Sequence, residues 1–282
     1  MTYETARALR QSIEHRMRLT AGLDVQRARR HIVFERLLAR LVNAHPARWV
    51  VKGGFALEVR LPERARVTRD IDLAVALDEA TTESVRGLVL DALARDPDGD
   101  RFAFALIEIR ALQPLDAGRL GWRLSLRADL DGRRFEAVTA DIVARTTEDG
   151  RTDRCALRSS LRFAGVPDLE IDLVDLDHHF AEKLAAYTED RGVRENTRVK
   201  DLTDMVLLVE TGFEPTRRLR DVADVIFEAR GERAPAVLPL PPASWGEIYA
   251  AQAAEVRLGA VALTDAHELV QRFWFATAGE TP

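Results

Sequence analysis

Residues 50–77 read VVKGGFALEVRLPERARVTRDIDLAVAL. A short apolar run, Arg48–Lys52, reads as a strand that ends at Gly53-Gly54 and passes into a helical FALEVRL. A second run, Thr68–Leu77, also reads as a strand, yet Asp70 and Asp72 interrupt it. A strand that served only the core would carry Ile, Leu or Val there. Side chains at i and i+2 of a strand share a face, so the two carboxylates stand side by side. They repel, and burial raises their pKa values further. A divalent cation relieves both problems, and Mg²⁺ takes one or two carboxylates together with substrate phosphates. Two solvated aspartates at an exposed strand end are the plainer alternative. The glycine pair also has two readings: residues without a Cβ let a phosphate approach backbone N–H groups at a helix N-terminus, or the turn simply packs tightly.

The flanking sequence sets these strands in an α+β domain. Upstream, residues 3–20 and 24–43 read as helices. In the second, Val25, Ile32, Val33, Leu37, Leu38 and Leu41 form one apolar stripe, Asp24 is placed to cap it, and Pro46 ends the pattern. Its arginines, including Arg27, Arg29, Arg30, Arg36 and Arg40, fit a solvated helix face. Downstream come a helix over 79–95, strands at Arg101–Arg110 and Trp122–Ala128, an Asp131-Gly132 hairpin turn, and a strand at Phe135–Val143. Leu169–Val174 is a further short strand, while Cys155–Phe163 is ambiguous. After about residue 176 the pattern turns helical, with Gly192, Gly212 and Gly231 as punctuation. The Pro-rich PAVLPLPPASW excludes a regular helix and precedes final helices at Ser244–Leu258 and from Thr264. The expected fold is a mixed β-sheet flanked by helices over 1–175, followed by a helical domain over 176–282.

Composition narrows the class. The chain of 282 residues is 46% hydrophobic and 31% charged, enough for a packed core and against global disorder. A net charge of −5 argues against wholesale nucleic-acid coating but not against a local basic groove. Cys155 is the only cysteine, which excludes an intrachain disulfide and a multi-thiolate zinc site; a small buried hydrophobe is the expectation for it. The first residues are too charged for a secretory signal, and no run approaches the length of a membrane span. A cytoplasmic protein without membrane partners is the expectation.

A third acid, Asp141, lies in FEAVTADIV, where Val138, Ala140 and Ile142 form one strand face and Thr139 and Asp141 the other. Beside Asp70 and Asp72 it would complete a metal site for phosphoryl displacement. A glycine pair opening a helix, Asp-x-Asp on the next strand and a distant strand aspartate resemble the DNA polymerase β-like nucleotidyltransferase superfamily. The fuller KGGFALEVRL through RVTRDIDL, with EKLAAYTEDRGVRENTRVKDLTDMVLL further on, is similar to the AbiEii/AbiGii toxin family, which includes MenT-like toxins. This similarity spans about residues 30–210.

The resemblance implies roles by position. Gly53 and Gly54, with Lys52 beside them, would hold the NTP. Asp70 and Asp72 would bind the catalytic Mg²⁺ or Mn²⁺, and Asp141 would be the third acid that deprotonates or orients the attacking hydroxyl. Lys183 would contact the nucleotide phosphates, while Asp201 and Asp204 match the family's acidic helix. Arg66 and Arg69 are candidates for phosphate or nucleic-acid contact, although the PERAR stretch lengthens the interval before Asp70. By residue chemistry alone, Lys183 also fits a snorkelling surface lysine, and Lys200 and Asp204 fit an ordinary i, i+4 surface pair. Adjacent His178 and His179 face different directions on a helix and read as structural.

The implied activity is transfer of a nucleoside monophosphate from an NTP to an acceptor hydroxyl. MenT-like relatives imply the 3′ end of tRNA as acceptor and a cognate antitoxin as partner. The arginines of 24–43 and 60–69, with Arg217, Arg218 and Arg220, would supply the basic surface. A small-molecule acceptor as in aminoglycoside nucleotidyltransferases, a protein acceptor, and a non-catalytic NTP-binding protein are the alternatives.

Overall fold

The computed structural model describes residues 3–22, 24–113, 118–145, 150–189, 192 and 196–278. They fall into two compact units, the first drawn from the described residues within 3–59, 67–145 and 152–173, the second from those within 60–66, 150–151 and 174–278.

In the first unit, Thr5 caps α1 (Ala6–Leu19), and Asp24 caps α2 (Val25–Ala44) by accepting from the amides of Gln26 and Arg27. Then come β1 (Trp49–Lys52), α3 (Gly53–Arg60), β2 (Asp70–Val75), α4 (Thr82–Leu93), β3 (Ala103–Ala111), β4 (Gly121–Leu130), β5 (Arg133–Ala144), β6 (Thr152–Leu157) and β7 (Leu169–Val174). Among the described residues one sheet takes the order β3-β4-β5-β2-β1-β7-β6. It is mixed: β3, β4 and β5 run as an antiparallel meander, β5 and β2 pair parallel, β2 and β1 antiparallel, and β1 and β7 parallel. The β4–β5 turn has Asp131 at φ 58° and Gly132 at φ 64°, the left-handed pair that a two-residue hairpin needs.

Alternation gives the sheet an apolar face. Ile71 and Leu73 of β2, Val138, Ala140 and Ile142 of β5, and Trp122, Leu124 and Leu126 of β4 are all buried. Trp122 donates its indole N–H to Thr82 at the start of α4 (3.0 Å), which puts that helix on this face. The opposite face of the same strands carries Asp70, Asp72, Thr139, Asp141, Arg123 and Ser125, none fully buried.

Two expectations change here. Arg36 and Arg40 are not on a solvated face: both are buried. Arg36 pairs with Asp98 (2.7 Å), and Arg40 forks onto the buried Asp100 (2.7 and 2.8 Å) and also reaches the Phe102 carbonyl (2.7 Å). The α4–β3 loop folds back to supply those carboxylates, which the helix pattern cannot foretell. Cys155 is half-exposed rather than buried, because β6 is an edge strand of the sheet. The ambiguous Cys155–Phe163 segment divides into the end of β6 and a short 3₁₀ turn at Arg162–Ala164.

The second unit contains α5 (Leu176–Thr188), α6 (Val199–Glu210), α7 (Arg217–Ala229), α8 (Gly246–Glu255) and α9 (Leu263–Ala276). Phe180, Phe213 and Phe273 meet in one aromatic cluster, with ring centroids 5.0 to 5.8 Å apart. The Pro-rich segment has few amides to offer, so side chains bind its backbone instead. Tyr187 and Trp274 donate to the carbonyls of Pro239 and Pro235, and Gln271 accepts from the Leu238 amide. Within the described residues no helix is long and apolar enough to cross a membrane. Residues 190–191 and 193–195 of the EKLAAYTEDRGVRENTRVKDL motif lie outside the described residues.

Candidate active site

The glycine turn and the first acid pair meet directly. Gly53 has φ +60°, and a Cβ built on it would lie 1.9 Å from Asp72 Oδ2 and 2.7 Å from its Cγ. The Asp72 carboxylate thus rests against the bare backbone of the turn from which α3 starts. Any side chain at Gly53 would occupy its place. Gly54 is buried in the first turn of the helix, where backbone N–H groups lack intrahelical partners. Thr68 donates to the Asp70 carbonyl (3.1 Å) and fixes the entry into β2.

Strand pairing then sets four charges in one row. Lys52 of β1 lies opposite Asp72 of β2; Asp72 lies opposite Asp141 of β5; Asp141 lies opposite Arg123 of β4. Asp70 pairs with Thr139, one step along the same face. The three acids predicted from sequence therefore lie on neighbouring strands and on one side of the sheet, although 69 positions separate the register partners Asp72 and Asp141 in the chain.

Arg123 was not foreseen. Its guanidinium forks onto Asp141, Nε to Oδ1 at 2.7 Å and Nη2 to Oδ2 at 2.5 Å. Asp141 raises its pKa most, and Asp70 and Asp72 add to the effect. The hairpin alone would have placed Arg123 elsewhere. Leu130 pairs with Arg133 and Asp129 with Arg134, a register that would set Arg123 against Ala140. Ala128, however, pairs with Glu136, so Phe135 is an extra residue and the register moves by one. That bulge turns Arg123 to the acidic face.

Three oxygen donors with no thiolate or imidazole are a hard-cation set, and the hollow that glycine leaves for Asp72 keeps one of them in place. In this respect the residues fit a divalent ion. Among the described residues, no group of three or more His, Cys, Asp and Glu side chains is placed to hold one ion together; Asp141 is turned to Arg123.

The second unit brings together the other predicted residues. Lys183 of α5 is buried and donates to Asp204 of α6 (2.6 Å) and to Asp201 (3.4 Å). Arg66 forks onto the same Asp204, at 2.9 and 2.8 Å. Burial, the largest influence on Asp204, disfavours its charge, but Lys183 and Arg66 outweigh it and hold the carboxyl down at about 2. Burial likewise opposes the Lys183 ammonium, and Asp204 and Asp201 overcome it and raise its pKa. The two surface readings therefore fail: Lys183 does not snorkel, and Asp204 pairs with Lys183 and Arg66 instead of the exposed Lys200. His179, one turn before Lys183, is fully enclosed, and burial, with Lys183 and Arg60, lowers its pKa well below the ordinary value.

The family model described as nucleotidyl transferase AbiEii toxin, type IV TA system, matches residues 36–274. The chain belongs to this family. It is a nucleotidyltransferase of the AbiEii toxin class, and a cognate antitoxin and an NTP substrate go with that class. Among solved structures, it is similar to JHP933 from Helicobacter pylori, with 14% identity over 89% of this chain and 94% of that one and a TM-score of 0.47. It is also similar to ANT(2")-Ia in complex with adenylyl-2"-tobramycin, with 15% identity over 70% and 96% of the two chains and a TM-score of 0.38. A nucleotidyltransferase-like protein from Paracoccidioides brasiliensis gives 17% identity over 71% and 88%, with a TM-score of 0.38. No curated protein matches in sequence.

Proposed function

We propose that this AbiEii protein is a toxin that moves a nucleoside monophosphate from an NTP to the 3′ hydroxyl of tRNA in the cytoplasm, which blocks aminoacylation and translation. The observation that carries this reading is the Asp72 carboxylate seated against Gly53 with Asp141 beside it in register. Asp70 and Asp72 hold Mg²⁺ or Mn²⁺ on the open face of the sheet. A bound ion of this kind supplies neutralisation of charge on the reacting phosphoryl oxygens and the departing pyrophosphate. Gly53 and Gly54 offer backbone N–H groups to the triphosphate, and Lys52 adds a positive charge next to them. Asp141 accepts the hydrogen bond of the attacking hydroxyl and orients it. Lys183, held charged by Asp204 and Asp201, contacts nucleotide phosphates, and Arg66 exchanges its carboxylate partner for phosphate. The catalytic domain is residues 1–175 and the helical domain 176–282.

Support for an RNA acceptor comes from the family resemblance, but the basic surface is smaller than the arginine count promises. Arg36 and Arg40 are committed inside the first unit. Arg64 binds Glu210, and Arg218 binds Asp175 and Asp177, while Arg220 lies over the Trp274 ring. Arg69 and Arg217 are exposed, and they remain as phosphate contacts.

The deciding experiment incubates the full chain with Mg²⁺, each α-³²P-labelled NTP in turn, and total tRNA. Label at the tRNA 3′ end is expected, with one NTP preferred, and it should vanish in Asp70→Asn. Label on an added aminoglycoside or on protein, with none on tRNA, would replace the acceptor. NTP binding with no transfer to any acceptor would overturn the enzymatic reading.

A further inference from the structure

The acidic face carries a cation of its own. Arg123 engages both oxygens of Asp141 through two parallel hydrogen bonds, the geometry in which a guanidinium fixes a carboxylate most firmly. The fork sits in line with Lys52, Asp72 and Asp141 across four adjacent strands. A one-residue bulge at Phe135 is what brings it there. Asp141 is about one-fifth exposed and Arg123 about two-fifths, so the pair borders the open face. As an ordinary surface pair it would contribute little to stability. Its position suggests another use.

We propose that Arg123 is a positioning residue that stands in for a second metal ion: it fixes Asp141 toward the acceptor hydroxyl and confines divalent-cation binding to Asp70 and Asp72. The inference rests on the metal-dependent reading given above. A three-carboxylate metal cup would require Asp141 to leave the fork, or to share its oxygens between a guanidinium and a dication. Electrostatics set the size of the effect. Arg123 and Asp72 lie on strands two apart, roughly 10 Å at about 4.8 Å per strand spacing. A unit charge opposing a dication over that distance, partly screened by water, changes affinity by roughly tenfold.

The test is Mn²⁺ binding to the full chain, followed by electron paramagnetic resonance with the metal alone. Wild type is expected to bind one Mn²⁺, and Asp70→Asn to lose it. Asp141→Asn should weaken binding by roughly tenfold or more, because it removes a unit charge one strand from Asp72 and unpairs Arg123, but it should not abolish binding as Asp70→Asn does, because Asp141 is not a ligand. Arg123→Gln should tighten binding by roughly tenfold, and Arg123→Lys, which keeps the charge, should stay near wild type. Melting temperatures close to wild type are expected for both Arg123 variants. Unchanged Mn²⁺ affinity in Arg123→Gln, or loss in Asp141→Asn as large as in Asp70→Asn, would overturn the assignment of Arg123. Absence of Mn²⁺ binding in wild type would instead overturn the metal-dependent reading itself.

Discussion

Gly53→Ala separates what the glycine turn does for the fold from what it does for chemistry. The new Cβ would lie 1.9 Å from Asp72 Oδ2, whereas real Cβ contacts essentially never fall below 3.0 Å. The carboxylate must therefore retreat by about 1.1 Å or more. Asp72 Cγ, at 2.7 Å, is also too close, so the whole carboxylate must swing aside; it is the end of a side chain and not backbone, so the fold survives. The backbone cost is modest. Alanine at φ +60° is strained by roughly 1–2 kcal/mol, while the stiffer unfolded chain returns about 0.4–1 kcal/mol. A net loss near 1 kcal/mol lowers Tm by about 2–4 °C. The chemical cost is larger, because a displacement of about 1 Å at a catalytic group can cost roughly 100-fold in rate. Gly99→Ala is the control: it has a similar φ of +61° but nothing within 4 Å of its Cβ, so it should lose a similar Tm and keep its rate. The assay is thermal unfolding beside α-³²P transfer at a temperature where both variants are folded. Equal rates for Gly53→Ala and Gly99→Ala would refute the argument that this glycine exists to seat Asp72.

The buried charges give further tests. Asp204→Ala leaves Lys183 and Arg66 without their shared carboxylate and should cost about 3–5 kcal/mol in urea unfolding; Asp201→Ala should cost less, since its contact to Lys183 is longer, 3.4 against 2.6 Å. His31 shows a pH dependence with a defined sign. Burial, the largest effect, opposes its protonation, but Glu35 and Glu58 outweigh it and raise its pKa to about 9. A raised histidine stabilises the fold fully below the unfolded value near 6.5 and loses that contribution as pH rises toward 9; His31→Gln should flatten unfolding free energy across that window. Arg40→Ala should cost about 3–5 kcal/mol while leaving the salt dependence of tRNA binding unchanged, as filter binding at several salt concentrations can show. Chelation with EDTA should stop transfer without lowering far-ultraviolet circular dichroism.

Much of this was legible in the chain because it is local. The strand–Gly-Gly–helix unit, the strand with Asp70 and Asp72, the hairpin at Asp131-Gly132 and the helices after residue 176 follow from periodicity and turn chemistry. Alternation alone puts Asp70 with Asp72, and Thr139 with Asp141, on one strand face each. What alternation cannot give is which strands are neighbours. Asp141 adjoins Asp72 because β2 and β5 pair in parallel across the middle of the sheet, a contact between distant segments that no local pattern encodes. The face on which Arg123 appears depends on a single bulged residue at Phe135, since side-chain direction reverses with each one-residue shift. The same limit governs charge. A lysine on an amphipathic helix and an arginine beside an apolar stripe look solvated in sequence, and only the packed structure supplies the carboxylates, Asp204 for Lys183 and Asp100 for Arg40, that make their burial tolerable.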